Sequence, residues 1–187
     1  MNIDKIHERL LDHFGGDVVL SLTAAEEGIC DPFITVAGGR IDRVCLFCRV
    51  EADLAFDFCQ SITGMDTGET LTCVYHLYSY ARRQTLVLKC SVPRSSALMP
   101  TCTGVWPAAD WYEREVYDMF GVVFEGHPDL RRLLLPDDWV GHPMLKDYKE
   151  QPVYHATVGP HSNPLELEIP TTRENPMDLL DSEEPGA

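Results

Sequence analysis

Residues 71–92 read LTCVYHLYSYARRQTLVLKCSV, and this stretch decides the fold class. Residues 71–78 are rich in β-branched and aromatic side chains, which suit a pleated surface. Ala81-Arg82-Arg83-Gln84 makes a polar turn, residues 85–92 return as the partner strand, and Pro93 ends it for want of an N–H. Upstream, a turn at Gly64-Met65-Asp66-Thr67-Gly68 separates this hairpin from Phe56-Asp57-Phe58-Cys59 and Ile62. Before that the period changes. Ile41, Val44, Cys45 and Cys48 recur at i, i+3, i+4 and i+7, which predicts a helix from Arg40. Phe33-Ile34-Thr35-Val36 reads as a short strand ended by Gly38-Gly39, and Val18, Val19, Leu20 and Leu22 mark another within residues 17–25. Ile3, Ile6, Leu10, Leu11 and Phe14 predict an amphipathic helix over residues 3–14, stopped by Gly15-Gly16. Downstream, Trp106-Pro107-Ala108-Ala109 leads into a last helix with Pro107 in its first turn, where a missing N–H costs nothing. Its apolar stripe is Ala109, Tyr112, Val116, Met119 and Phe120, and Gly121 closes it. The order helix, strand, strand, helix, strand, strand, helix predicts an α+β fold. A small, mostly antiparallel sheet carries its helices on one face, and an extended C-terminal arm follows.

The chain has 187 residues, 44% of them hydrophobic, enough for one cored domain with additions. Three parts are expected: a helix and strand over residues 1–30, a main domain over 31–148, and an acidic, proline-rich tail over 149–187. The net charge is −15, and the tail alone holds eight acids against two bases. That balance argues against nucleic acid or an anionic membrane surface, both of which need basic patches. The tail also contains six prolines and few apolar residues, so it reads as an arm that orders on a partner. Leu165-Glu166-Leu167-Glu168-Ile169 alternates as a strand adding to a sheet edge would. The seven cysteines are odd in number and mostly set in apolar runs. With a charged N-terminus, and with no apolar run of about 18 residues to span a membrane, they suit a reducing, cytoplasmic setting.

The densest stretch is residues 110–148, DWYEREVYDMFGVVFEGHPDLRRLLLPDDWVGHPMLKDY. Gly-His-Pro occurs twice, with His127-Pro128 and His142-Pro143, and reads as two tight turns whose histidines hydrogen-bond backbone. A spacing of fifteen between the histidines fits no local chelating motif, so metal binding is not favoured. Asp110–Arg114 and Arg114–Asp118 are i, i+4 pairs of opposite charge. Glu113 and Glu115 lie on different sides of a helix, so they make no acid–base pair. They are expected instead to join Arg114, Asp118 and Arg131 or Arg132 in a network locking the last helix to the following loop. Cys45 and Cys48 form a C-x-x-C without a second pair, which reads as core packing rather than a dithiol or half a metal site. No phosphate loop, dinucleotide fingerprint, H-E-x-x-H or G-x-S-x-G is present. From the residues alone, the chain is a structural component of a complex.

Residues 113–134, EREVYDMFGVVFEGHPDLRRLL, resemble the signature of one family: the thirty-kilodalton or C subunit of proton-pumping NADH–quinone oxidoreductase, respiratory complex I. The resemblance runs through Glu113, Arg114, Glu115, Asp118, Gly121, His127, Pro128, Asp129, Arg131 and Arg132, and on to Pro143, Lys146, Asp147 and Tyr148. Thr63-Gly64-Met65-Asp66, Val74-Tyr75-His76-Leu77 and Trp106-Pro107-Ala108-Ala109 also look like the family. One position departs: Leu145 stands where the family usually has arginine. The resemblance implies a non-catalytic member of the hydrophilic arm that positions the quinone-site and iron–sulfur subunits. It implies no catalytic, metal or cofactor site here, with FMN and iron–sulfur clusters held by partner subunits. The D subunit of complex I, which helps form the quinone pocket, and neighbouring iron–sulfur subunits are the implied partners. The implied place is peripheral, on the cytoplasmic side of the bacterial inner membrane, with no membrane span. A related membrane-bound hydrogenase or another quinone-reducing dehydrogenase is the alternative parent complex, and a free-standing thiol redox protein using Cys45 and Cys48 is a third reading.

Overall fold

In the computed structural model, residues 2–25, 31–149, 153–154 and 157–158 are described. By internal contacts the chain divides into two compact units, Met1–Tyr148 and Lys149–Ala187. The first unit is built on helices α1 (Ile3–Phe14), α2 (Ile41–Val50) and α3 (Ala109–Phe120) and strands β1 (Val19–Thr23), β2 (Phe33–Ala37), β3 (Phe58–Asp66), β4 (Thr70–Ser79) and β5 (Gln84–Pro93). The strands form one sheet in the order β1-β2-β5-β4-β3. Every pairing is antiparallel except β2 with β5, which runs parallel and places Ile34 beside Leu88. The class is α+β with a mixed sheet.

Period-2 alternation decides which face is covered. On β4 Leu71, Cys73, Tyr75 and Leu77 point inward, and on β5 Leu86, Leu88 and Cys90 do the same. They share one core with Ile6 and Leu10 of α1, Val44 and Cys48 of α2, and Ala109 and Val116 of α3. All three helices therefore cover one side. Val74, His76, Tyr78 and Lys89 lie on the other side and are only half-buried. There the Lys89 ammonium sits 3.5 Å above the Phe33 ring, and Ser61 and His76 are 3.2 Å apart across the strands.

Four features differ from the sequence expectation. The region of residues 56–66 is not a lead-in to a turn but a nine-residue edge strand, β3. A bulge between Cys59 and Ser61 shifts its inward set, which hides the alternation. The turn is confined to Thr67–Glu69, with Gly68 at φ 100° and its amide bonded to Asp66. Pro107 precedes α3 rather than opening it, because the helix begins at Ala109. Two three-residue strands, β6 (Leu98–Pro100) and β7 (Val123–Glu125), pair in parallel and are too short for any periodic signal. Pro93 closes β5 as its last residue. In the second unit, β8 (Val153–Tyr154) and β9 (Thr157–Val158) form an antiparallel ladder. The rest of the expected arm, including residues 165–169, lies outside the described residues.

Gly64 shows why a strand interior can require glycine. A Cβ built there would fall 2.4 Å from the Phe120 ring, so α3 packs directly on the β3 backbone. Gly64→Ala should lower stability by about 1–3 kcal/mol, an overpacking cost. In a Phe120→Leu background the added cost should shrink, and urea unfolding of the four proteins in a double-mutant cycle measures the difference.

Candidate functional site

Residues 126–148 contain no helix or strand, yet they are held against α3 and the sheet end. The anchor is Asp118, a carboxylate with no solvent exposure near the end of α3. Its Oδ2 accepts the N–H groups of Leu133, Leu134 and Leu135 at 3.1, 2.8 and 2.9 Å. Its Oδ1 accepts from Arg132 Nη1 at 2.7 Å. Burial alone would raise the Asp118 pKa. The three amides and the guanidinium outweigh that and hold the carboxyl below the usual carboxylate range. Arg132 then spans the loop, its Nη2 donating to the carbonyls of Trp139 and Gly141 at 2.9 and 3.0 Å. One ion pair thus ties the end of α3 to residues 132–135 and to residues 139–141.

Arg114 makes a second clamp. It is 5% exposed, and its Nε and Nη2 donate to the carbonyls of Arg131 and Arg132, each at 3.3 Å. Its charge is met by Asp110 at 3.9 Å, and its guanidinium lies 5.1 Å from the Trp111 ring centre. The two histidines bond to backbone. His127 Nδ1 accepts the Asp129 N–H at 3.0 Å, which leaves the ring proton on Nε2 to donate to the Asp110 carbonyl. His142 Nδ1 donates to the Asp118 carbonyl at 2.9 Å, and its ring lies where a Cβ on Gly121 would sit. Gly121 ends α3 at φ 77°, a left-handed cap that suits glycine. The Met144 N–H is bonded to the Met119 carbonyl at 3.0 Å.

A third clamp joins the loop to the sheet. Asp66 at the end of β3 accepts the Gly68 amide at 2.7 Å and the Lys146 amide at 2.9 Å. Those bonds, the Lys146 amide foremost, hold its carboxyl low. Arg94 lies 3.7 Å from Asp66 and also pairs with Asp147. Tyr148 packs where a Cβ on Gly141 would fall, and its hydroxyl has no hydrogen-bond partner among the described residues. Leu145 packs half-buried against the core. Pro143 is half-buried, and Pro128 is exposed in its turn.

The expected network is therefore redistributed. Asp118 does not pair with Arg114, because Arg132 and three loop amides occupy it. Among the described residues Arg131 pairs only with Asp129, at 2.9 Å on the surface, and it meets Arg114 through its carbonyl. Glu115 is exposed. Glu113 faces the opposite way, fully buried, with Oε2 2.5 Å from Thr101 Oγ1 and Oε1 accepting the Cys102 amide at 2.6 Å. The sequence carried no local signal for Thr101, Arg94 or the Asp66–Lys146 bond, which join residues far apart in the chain.

Cys45 and Cys48 are fully buried on the inner face of α2. Burial pushes the Cys45 thiol well up and the Cys48 thiol up to about 12, so neither forms a thiolate readily. Among the described residues no group of three or more His, Cys, Asp or Glu is placed to hold a metal ion, and no helix is long and apolar enough to cross a membrane.

The pinned loop shapes one apolar surface. A groove of about 320 Å³ lies between β3, α3 and the loop, floored by Ile62, Val116, Met119 and Phe120. Leu134 and Met144 flank it with 61% and 57% exposure, and Glu115 and Tyr112 stand at the rim.

These features define a class: an α+β domain in which buried Asp118 and Arg114 fix one long loop. Residues 34–154 match the family described as respiratory-chain NADH dehydrogenase, 30 Kd subunit, and the chain belongs to that family. It is 41% identical over 133 residues to the C subunit of NADH-quinone oxidoreductase from Chloroherpeton thalassium, covering 70% of this chain and 55% of that protein. The C subunit from Geobacter metallireducens is 43% identical over 122 residues, covering 63% and 74%. The C subunit from Salinispora arenicola is 47% identical over 113 residues, covering 58% and 46%. The chain thus spans about half the length of several of the curated relatives it matches. Among solved structures, a trypsin-resistant fragment of Nqo5 superposes with a TM-score of 0.55 at 26% identity, covering 70% of this chain and 100% of that one. A chain of an archaeal membrane-bound sulfane sulfur reductase gives the same score and identity, covering 72% and 77%.

Burial pushes the Glu113 carboxyl from about 4.5 up to about 7, against the two donors that favour its charged form. The folded state then holds this proton more tightly than the unfolded chain. Its contribution is complete below about pH 4.5 and is lost as pH rises to about 7. The span corresponds to roughly 3 kcal/mol at 1.36 kcal/mol per pKa unit. Between pH 5 and 8, wild type should therefore lose stability relative to Glu113→Gln, whose amide keeps the Cys102 bond. Parallel stability–pH profiles in urea would show that Glu113 is charged throughout.

Proposed function

We propose that the chain is the C subunit of a proton-translocating NADH–quinone oxidoreductase and serves it as a non-catalytic scaffold. The family membership and the relatives' shared name support the parent complex. The observation that carries the scaffold role is the Asp118–Arg132 lock, which invests buried charge in loop position rather than in any reacting group. A buried pair of this kind adds little net stability but fixes geometry. Geometry is what an electron-transfer assembly requires, since misplacing reacting groups by about 1 Å can cost on the order of 100-fold in rate.

In this reading the groove beside the lock receives the D subunit of the quinone site, next to iron–sulfur subunits. FMN and iron–sulfur clusters belong to those partners and none to this chain. The chain lies peripherally on the cytoplasmic face of the inner membrane. A second reading keeps the scaffold and changes the parent complex, and the likeness to the archaeal reductase favours it. Mass spectrometry of the co-purifying subunits separates the two, NADH-binding subunits supporting the first.

Leu134 and Met144 are exposed, so Leu134→Asp with Met144→Asp should leave the unfolding midpoint nearly unchanged. At a docking hot spot the same change should lower assembly by about 30-fold or more, equivalent to at least about 2 kcal/mol. Native gels of solubilised membranes read assembly, and NADH–quinone reductase activity should fall in parallel. Wild-type assembly of the folded variant contradicts this docking face.

A further inference from the structure

We propose that the α1–α2 face is a second docking site, and that it takes an acidic amphipathic segment of a partner subunit. The inference rests on the reading that this chain works inside an assembly, and it adds a partner surface that shares no residue with the groove beside the lock.

Helix α2 is apolar on two sides. Ile41, Val44, Cys45 and Cys48 enter the core, while Leu46 and Val50 are 44% and 71% exposed. The i, i+4 spacing of Leu46 and Val50 puts them one above the other on the outer face. Between the two sides stands Phe47, stacked on His13 at 4.3 Å and edge-on to Phe14 at 5.5 Å. The result is a floor held rigid by aromatic contacts beneath an open groove of about 640 Å³.

Charge selects the occupant. Arg40 and Arg43 line this groove and no acid does, in a chain whose net charge is −15. Arg40 has no ion-pair partner among the described residues. Among the described residues Arg43 pairs only with its neighbour Asp42, at 3.6 Å with the arginine exposed and the aspartate half-buried, a contact that a better-placed carboxylate can replace. The acids Glu8, Asp12 and Glu51 line an adjoining groove that shares His13 and Phe47 with this one, and there Arg9 is committed to Glu51 and Asp53. An apolar floor with two available guanidinium groups fits a segment presenting Leu, Ile or Met downward and Asp or Glu at the edge. A basic segment would leave both arginines opposed. Nucleic acid would find no stacking platform, because Phe47 is already stacked and half-buried.

The test uses the full chain inside its native complex. A benzophenone amino acid replaces Leu46 in one strain and Leu134 in another, and cross-linked peptides are sequenced after illumination. The expected product at Leu46 is a partner-subunit segment with an excess of Asp and Glu among apolar residues. Arg40→Glu with Arg43→Glu should lower that yield about ten-fold or more while the Leu134 product persists. No product at Leu46 overturns the inference, whatever Leu134 yields. So does a product that is basic, a second copy of this chain, or this chain's own residues 150–187, and so does a yield indifferent to the double reversal. Products at Leu46 but none at Leu134 uphold this site and sink the docking face beside the lock.

Discussion

The structure depends on one buried carboxylate. Asp118 sits at the end of α3 with no access to water, a location where an unpaired charge is costly. Three consecutive amides and one guanidinium meet it, and all four donors come from the loop after α3. A loop with few ladder bonds of its own thus gains a fixed path. Arg132 carries the constraint onward to Trp139 and Gly141, Arg114 grips the loop from outside, and Asp66 holds its far end to the sheet. These clamps hold Leu134 and Met144 at the flanks of the groove.

Helix α3 is the hinge of this arrangement because it carries buried charge on two faces. Asp118 looks toward the loop and stays ionised. Glu113 looks toward the interior, where burial favours its protonated form despite two donors. The difference lies in donor number: four strong donors offset desolvation at Asp118, and two do not at Glu113. Five positions along the helix therefore separate a charged anchor from a carboxyl that holds its proton up to about pH 7. The interior around Glu113 is rich in cysteine, with Cys59, Cys73 and Cys102 close enough to influence its surroundings. These thiols act as small apolar side chains.

How much of this was legible in the sequence follows from locality. The three helices and the β4–β5 hairpin announce themselves through periods of 3.6 and 2. The backbone-bonding role of His127 and His142 could be read from Gly-His-Pro, since those turns set the ring beside a backbone carbonyl. The edge strand β3 was obscured by its bulge and by Gly64, whose presence answers to Phe120 from another element. The parallel β2–β5 pairing and the three-residue strands β6 and β7 are set by tertiary contacts alone. The i, i+4 pairing of Arg114 with Asp118 was a sound local inference that non-local donors overrode. The Asp66 bond to Lys146 spans 80 positions and leaves no local trace.

Native-state hydrogen exchange at Leu133, Leu134 and Leu135 tests the central claim most directly. These amides belong to a segment without helix or strand, and exposed loop amides exchange fast. If Asp118 anchors the loop, all three should exchange about as slowly as the amides of β4. In Asp118→Asn they should become fast together while β4 stays protected. Fast exchange in the wild type, or slow exchange that survives the substitution, would contradict the account.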